Sequence, residues 1–439
     1  MIQFRNKLTQ RLKEFDWSLV RGSTLISIGT ALARVLGLAF SLVLAAVFTS
    51  GEYGEVRYAI AVASIVSIIT MPFGQHLISR FVSKYRSDAT NLNSILTNSL
   101  FILPCLFLLT LLVTVPVLLA LGKFNIGILA IFLGETLFYA YWGLTSGFLE
   151  PRRLTIAYLS SNIIQILLVF VLIKILNLHS TTLALLIYGL SYLLPLTVLM
   201  LWWPLPGKVG RQFIDRNIIK EMLHFSVPIW ISHACYTFSI TFDLLFLERL
   251  GNASQLGAYS LSKTLASIFI IVPSGISTLL MPKIAQTGKE KHGSLLLRMV
   301  IISLFVDGII LLIYTPLIQP LTLRFFGQGY WVPMSVSMIL AVYMILYGFH
   351  GLISAVLVGR GTPQFESMSR IAELVVTGLG CLILIPNSGW IGAAIAMLAG
   401  KLAALIIYVI VARFGRTVTE NKVGFLSLIE NWTEPNKNH

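Results

Sequence analysis

Arg34, Lys263 and Lys401 stand inside stretches that are otherwise apolar, and Glu135, Asp243, Asp307 and Glu373 are their acidic counterparts. A charge held at mid-membrane depth costs at least ~2.5–3.5 kcal/mol on insertion scales, so each needs a counter-charge or water. At a rise of 1.5 Å per residue, Arg34 lies about 16 Å into the first apolar stretch. Thr30, Arg34, Gly37 and Ser41 fall on one face of a helix, and Lys263 shares a face with Ser260, Ser267 and Ser274. Glu135 aligns with Tyr139, Trp142 and Ser146, and Tyr343 and Tyr347 align with His350 and Ser354.

Two chemistries fit this set. In one, a water-filled cavity uses Arg34, Lys263 and Lys401 to attract an anionic headgroup, offers Tyr343 and Tyr347 as faces for sugar rings, and couples a proton or sodium ion at Glu135, Asp243 or Asp307. In the other, the charges pair helix to helix and face nothing. For Asp243 and Lys263, near the same ends of consecutive stretches, a plain ion pair is the direct alternative. Glu373 and Arg298 stand close to a membrane boundary, where snorkelling accounts for them. His76, His224, His233 and His350 read as packed side chains, and the aromatic stripes also serve helix packing. Cys105, Cys235 and Cys381 lie singly in apolar stretches and read as small hydrophobes. No metal or cofactor motif is visible, and no constellation for nucleotide hydrolysis, acyl transfer or paired-carboxylate catalysis. The reading is therefore not an enzyme.

What must position these residues is a set of membrane helices. Of 439 residues, 56% are hydrophobic and 11% charged, against roughly 25% charged in soluble domains. The apolar stretches are about 20 residues long, the length that crosses a hydrocarbon core of roughly 30 Å. Only helices satisfy the backbone there without the alternation of a barrel. The expectation is an all-α polytopic membrane protein of about twelve transmembrane helices, near 23–48, 56–79, 95–120, 125–148, 155–176, 181–203, 223–247, 255–281, 294–319, 332–358, 369–387 and 389–412. The net charge of +14 invites a nucleic-acid partner, but the basic residues are spread over alternate loops. One set of segments holds 23 of the 32, with Arg57, Lys123, Lys174, Arg249 and Arg324 opposite, which places both termini in the cytoplasm.

The longest interior polar break divides the chain into a bundle at 23–203, a linker at 204–222 and a bundle at 223–412, flanked by cytoplasmic segments at 1–22 and 413–439. The halves echo one another. Tyr53-Gly54, Pro72-Phe73-Gly74 and Arg80 in the first correspond to Leu256-Gly257, Pro273-Ser274-Gly275 and Lys283 in the second. With six spans each, the halves share one orientation, a duplication typical of transporters.

Ala33-Arg34-Val35-Leu36-Gly37, followed by Phe48-Thr49-Ser50-Gly51-Glu52-Tyr53-Gly54, resembles the opening of polysaccharide flippases of the Wzx type. Phe225-Ser226-Val227-Pro228, Asp243, Leu256-Gly257-Ala258-Tyr259-Ser260, Met281-Pro282-Lys283 and Phe326-Gly327-Gln328-Gly329-Tyr330 continue that pattern in order and spacing. The resemblance runs from Leu19 to Arg413. It implies the exporter superfamily that also holds multidrug extruders and lipid II flippases, with two six-helix bundles in a V-shaped, MATE-like fold around a central cavity. It further implies transfer of an undecaprenyl-pyrophosphate-linked oligosaccharide across the bacterial inner membrane for O-antigen, capsule or exopolysaccharide, in company with membrane lipids, a polysaccharide polymerase and a chain-length regulator. Arg34 is similar to the first-span arginine that lines the cavity of lipid II flippases, which usually have fourteen spans. The alternatives are a cation-coupled small-molecule exporter of the same superfamily and a non-transporting component of an assembly complex.

Overall fold

The protein is described by a computed structural model covering residues 17–202, 207–286, 292–359 and 364–418. Most of the basic N-terminal segment, part of the linker, Lys289, Lys291, Arg360 and the tail from residue 419 lie outside the described residues. Within them all regular structure is helical. Among the described residues nine helices are each long and apolar enough to cross a membrane, and two bent pairs, Ser50–Val66 with Thr70–Tyr85 and Ala253–Ala266 with Ile268–Ser277, raise the number to eleven.

The twelfth span is hidden in the longest helix. Gln364–Val418 is interrupted at Gly389, whose φ of 53° and ψ of −129° belong to neither helix nor strand and suit only glycine. Either side of it the chain doubles back. A Cβ on Gly380 would sit 2.9 Å from the Ala396 Cβ, and Ser369 Oγ donates to the Ala404 carbonyl at 3.0 Å. The element is a hairpin of two spans. The turn falls at Gly389 because glycine tolerates that geometry, and Pro386 stays inside the incoming helix. The eleventh span thus begins at Gln364, not near 369, which moves Arg370 from the edge of the helix to its interior.

Side-chain caps fix most of the other starts. Thr49 and Glu52 form a capping box, Asp88 accepts from Thr90 and Asn91, and Asn125, Ser180, Asp215 and Asn252 cap the helices that follow them. Three of these starts differ from expectation, one of them the third span, which begins at Ala89 instead of 95. The second span begins at Ser50 instead of 56, which moves Arg57 from the edge of the helix to two turns inside it. The seventh begins at Arg216, inside the stretch read as linker.

The spans sort into two groups. The first packs span 1 (Trp17–Val47) on span 5 (Pro151–Leu168), and span 4 (Ile126–Gly147) on spans 2 and 6. The second packs span 7 (Arg216–Leu250) on the Gly389 hairpin and span 8 on span 10 (Met334–Gly359). Each group has its own apolar interior: Phe40, Leu44, Ile128 and Ile131 in the first, Leu340, Met397, Ala393 and Phe269 in the second. Large apolar side chains such as Leu112, Phe305, Leu312 and Ile383 stay exposed on the outside. That is the surface lipid would cover, where burial against protein brings no hydrophobic gain.

Candidate functional site

Spans 2 and 8 bring the two groups together. Ser50–Val66 lies against Ala253–Ala266, and Gly54 and Gly257 face one another so closely that no side chain fits. A Cβ on Gly54 would stand 2.3 Å from the Ala253 carbonyl, and one on Gly257 only 1.7 Å from the Ser50 carbonyl. Ser50 and Ser254 hydroxyls meet at 2.8 Å, the Tyr330 hydroxyl donates to the Phe48 carbonyl at 2.8 Å, and Lys123 pairs with Glu248. This contact holds the two groups together at one end of the spans, and toward the other end Trp230 donates to the Ile69 carbonyl at 2.8 Å.

Deeper in the membrane the bundles part around a cavity of about 290 Å³. Its walls are Arg34, Gly37, Leu38 and Ser41 from span 1, Arg57 from span 2, Lys263, Thr264, Ser267, Ile270 and Ile271 from span 8, and Met344 from span 10. Of the predicted stripe of Thr30, Arg34, Gly37 and Ser41, the last three lie together on the span 1 wall. Arg57 was missed. A start at residue 56 set it at the edge of the span and it was grouped with the loop residues, whereas the Thr49–Glu52 capping box, legible as Thr-x-x-Glu, places it two turns inside the helix. Its Nε is buried with no hydrogen-bond partner.

Charge in the cavity is unbalanced. Among the described residues neither Arg34, which is exposed to the cavity, nor Arg57 makes an ion pair. Lys263 alone has one: its Nζ stands 2.6 Å from Asp243 Oδ2 and donates to the Ile240 carbonyl at 2.9 Å, while the Tyr259 hydroxyl donates to the same Oδ2 at 2.9 Å. Three cations therefore face one carboxylate, leaving a net charge of two positive. The ion-pair alternative for Asp243 and Lys263 is realised, and Lys263 still lines the cavity.

The other expected site residues lie elsewhere. Lys401 does not line the cavity: it is fully buried in the second bundle, with Nζ 2.5 Å from Glu373 Oε1. Tyr343 and Tyr347 are absent from the cavity wall as well. Their rings flank Lys401, 5.9 and 4.6 Å from its ammonium, so they solvate a buried cation instead of presenting a face to sugar. Glu373 does not snorkel. It is 1% exposed and is shared between Lys401 and Arg370, whose Nη1 lies 3.4 Å away and whose Nε reaches Glu366 at 2.9 Å. Tyr408 donates to Glu366, and Arg370 stacks over the Tyr236 ring. Two cations and two carboxylates thus cancel inside one bundle. His350 is held there too, 3.0 Å from Ser369 and stacked on Tyr408, which is the packed role expected of it.

Of the remaining carboxylates, Glu135 is buried in the first bundle. It meets the Ser67 hydroxyl at 2.8 Å, where span 2 bends by 61°. Asp307 is buried on span 9, 3.4 Å from Ser303. Neither reaches the cavity wall. No cluster of three metal-ligating side chains exists among the described residues.

The arrangement of two helical bundles around a cavity is a fold shared with solved transporters of the MOP superfamily. A multidrug-resistance MATE transporter of that superfamily in its inward-facing conformation matches at a TM-score of 0.69 and 12% identity, over 91% of this chain and 100% of the other. The lipid II flippase MurJ, in an inward closed conformation, matches at 0.68 and 16% over 87% of both chains. A MOP-superfamily transporter from Pyrococcus furiosus, described as having a binding pocket of reversed polarity, matches at 0.61 and 15% over 92% and 96%. In sequence, residues 19–287 match the family model for polysaccharide biosynthesis proteins, and the chain belongs to that family. An uncharacterized membrane protein of Methanocaldococcus jannaschii is 23% identical over 280 residues, 60% of this chain and 65% of that protein's length.

Proposed function

We propose that this protein flips a polyprenyl-diphosphate-linked oligosaccharide across the bacterial cytoplasmic membrane for surface polysaccharide assembly. The observation that carries the reading is the unneutralised charge of Arg34 and Arg57 beside Lys263 in the cavity between the bundles. Each cation at such depth costs about 2.5–3.5 kcal/mol by insertion scales, and two of the three recover nothing from a protein carboxylate. A diphosphate supplies the missing charge, and guanidinium groups bind its oxygens in pairs. The cavity volume of about 290 Å³ suits a charged headgroup with its lipid tail left between the bundles. Family membership supports a glycan cargo. With both termini cytoplasmic, the Gly54–Gly257 contact lies on the periplasmic side, so this form holds its headgroup site shut toward the periplasm. A cation-coupled drug exporter would need the opposite polarity in this cavity.

The test is flipping of a fluorescent polyprenyl-diphosphate oligosaccharide in vesicles holding the purified protein. Arg34→Ala should lower the rate at least about tenfold, the loss of one charge-assisted contact of 1.4 kcal/mol or more. Full-rate flipping by that variant overturns the assignment. Deleting the gene should abolish surface glycan and trap lipid-linked units on the cytoplasmic leaflet. Unchanged glycan with altered drug sensitivity would favour the small-molecule exporter.

A further inference from the structure

We infer that Asp243 is a positioning residue that competes with the cargo for Lys263, keeping the cavity releasable. The inference rests on the proposed diphosphate reading of the cavity.

Lys263 lines the cavity, yet its ammonium is engaged by groups of its own bundle. Two of its contacts are internal, to Asp243 Oδ2 at 2.6 Å and to the Ile240 carbonyl at 2.9 Å. Asp243 itself is fully inaccessible and cannot be satisfied by water or by an incoming cation from the cavity. Its position is fixed from two further sides. Oδ1 accepts from the backbone N–H of Leu244 at 2.9 Å, and Oδ2 accepts from the Tyr259 hydroxyl at 2.9 Å. The carboxylate is therefore held in place without the lysine, whereas the lysine, on four flexible methylenes, is 11% exposed and can swing.

Arg34 and Arg57 have no such internal anion among the described residues. The cavity thus combines two standing cations with one that is occupied until an anion arrives. A ligand must displace Asp243 to recruit Lys263, and its apparent affinity is lowered by the fraction of protein in which the lysine is free. For a transporter that penalty has a use: a site of three free cations would hold a diphosphate too tightly to let it go, and conduction through any site requires binding weak enough to leave. Re-formation of the Asp243–Lys263 pair gives the site a way to eject its cargo.

The experiment measures binding of inorganic pyrophosphate and of geranylgeranyl diphosphate to the full chain, together with vesicle flipping of the oligosaccharide lipid. Asp243→Asn keeps the shape and the Tyr259 contact but removes the competing charge. It should bind both probes about tenfold tighter and flip more slowly at saturating cargo. The paired variant Asp243→Asn with Lys263→Gln should lose that gain. Tyr259→Phe takes one donor from Oδ2 and leaves the carboxylate freer to hold Lys263, so it should bind the probes a few-fold more weakly; this arm carries the test should Asp243→Asn not fold. A merely structural ion pair predicts weakened binding in Asp243→Asn and no dependence on Lys263. Unchanged or weaker binding in Asp243→Asn, or a gain that persists without Lys263, overturns the inference, as does unaltered binding in Tyr259→Phe. If the parent protein binds neither probe and Arg34→Ala changes nothing, the diphosphate reading itself falls. If the parent binds, Arg34→Ala does not, and Asp243→Asn is flat, only the role of Asp243 falls.

Discussion

Lys401 shows how one buried residue changes meaning with its partner. From sequence it is a cation at mid-membrane depth on the last span, equivalent in kind to Arg34. In the structure its ammonium is 2.5 Å from Glu373 and rests against the Tyr347 ring. Glu373 and Lys401 stand 28 residues apart and meet only because Gly389 folds the intervening chain into a hairpin. Periodicity along a helix sees neighbours three and four residues away and is blind to that encounter. Arg34 and Lys401 thus take opposite roles, one exposed to the cavity and the other locked in a neutral cluster. Lys401→Met should destabilise the protein by about 3–5 kcal/mol, because it leaves Glu373 with Arg370 alone at 3.4 Å. Thermal unfolding in detergent reads this as a lower midpoint. Pairing the change with Glu373→Gln should restore most of it, since the pair removed together leaves no orphaned charge. A single variant that melts like the parent would show that the cluster contributes little.

Among the elements, spans were readable where length and hydropathy define them, and less so where a cap or a kink does. Nearly every apolar stretch became a helix of the expected place. The ends moved outward wherever a capping residue lay beyond the apolar run, as at Thr49 and Asp215, because capping costs no hydropathy and so leaves no mark on an apolar profile. Those small shifts changed the setting of two cations, Arg57 in the cavity wall and Arg370 in the buried cluster. The bends were legible only as Pro72 and Pro273. In the structure span 2 turns by 61° and span 8 by 44°, and both straighter capped halves meet at Gly54 and Gly257. Gly257→Val is expected to hold that contact apart, since its first added carbon would lie 1.7 Å from the Ser50 carbonyl. Labelling of a cysteine at Ser254 by a membrane-impermeant thiol reagent, in a background free of the three native cysteines, should rise several-fold. Equal labelling with glycine and valine at 257 would count against a closed gate at this contact.

The whole molecule was foreseeable as two helical bundles around a cavity, and the cavity wall through span 1 was foreseeable as well. What composition could not supply was which charges face inward together and which cancel, because that depends on side chains from distant spans. Alternating exposure of the cavity requires the bundles to part at the face they now close. The Ser50 and Ser254 hydroxyls are 2.8 Å apart, so cysteines at both positions fall within the reach of a disulfide. Oxidising that double variant should stop flipping, and a reductant should restore it. Continued flipping by the cross-linked protein would mean that transport does not pass through opening at this face.

Gly54 and Gly257 each stand five residues beyond the side chain that caps their helix, Thr49 in one half and Asn252 in the other. The gate is therefore an isologous interface, of the kind two identical subunits form about a two-fold axis, enclosed within a single polypeptide. Such a surface is complementary to itself, and a bulge on one side has no hollow to receive it on the other. Elsewhere the two halves differ: one buries the carboxylate of Glu135, the other a balanced cluster of four charges. At the glycines they match, and each half needs the shape the other presents.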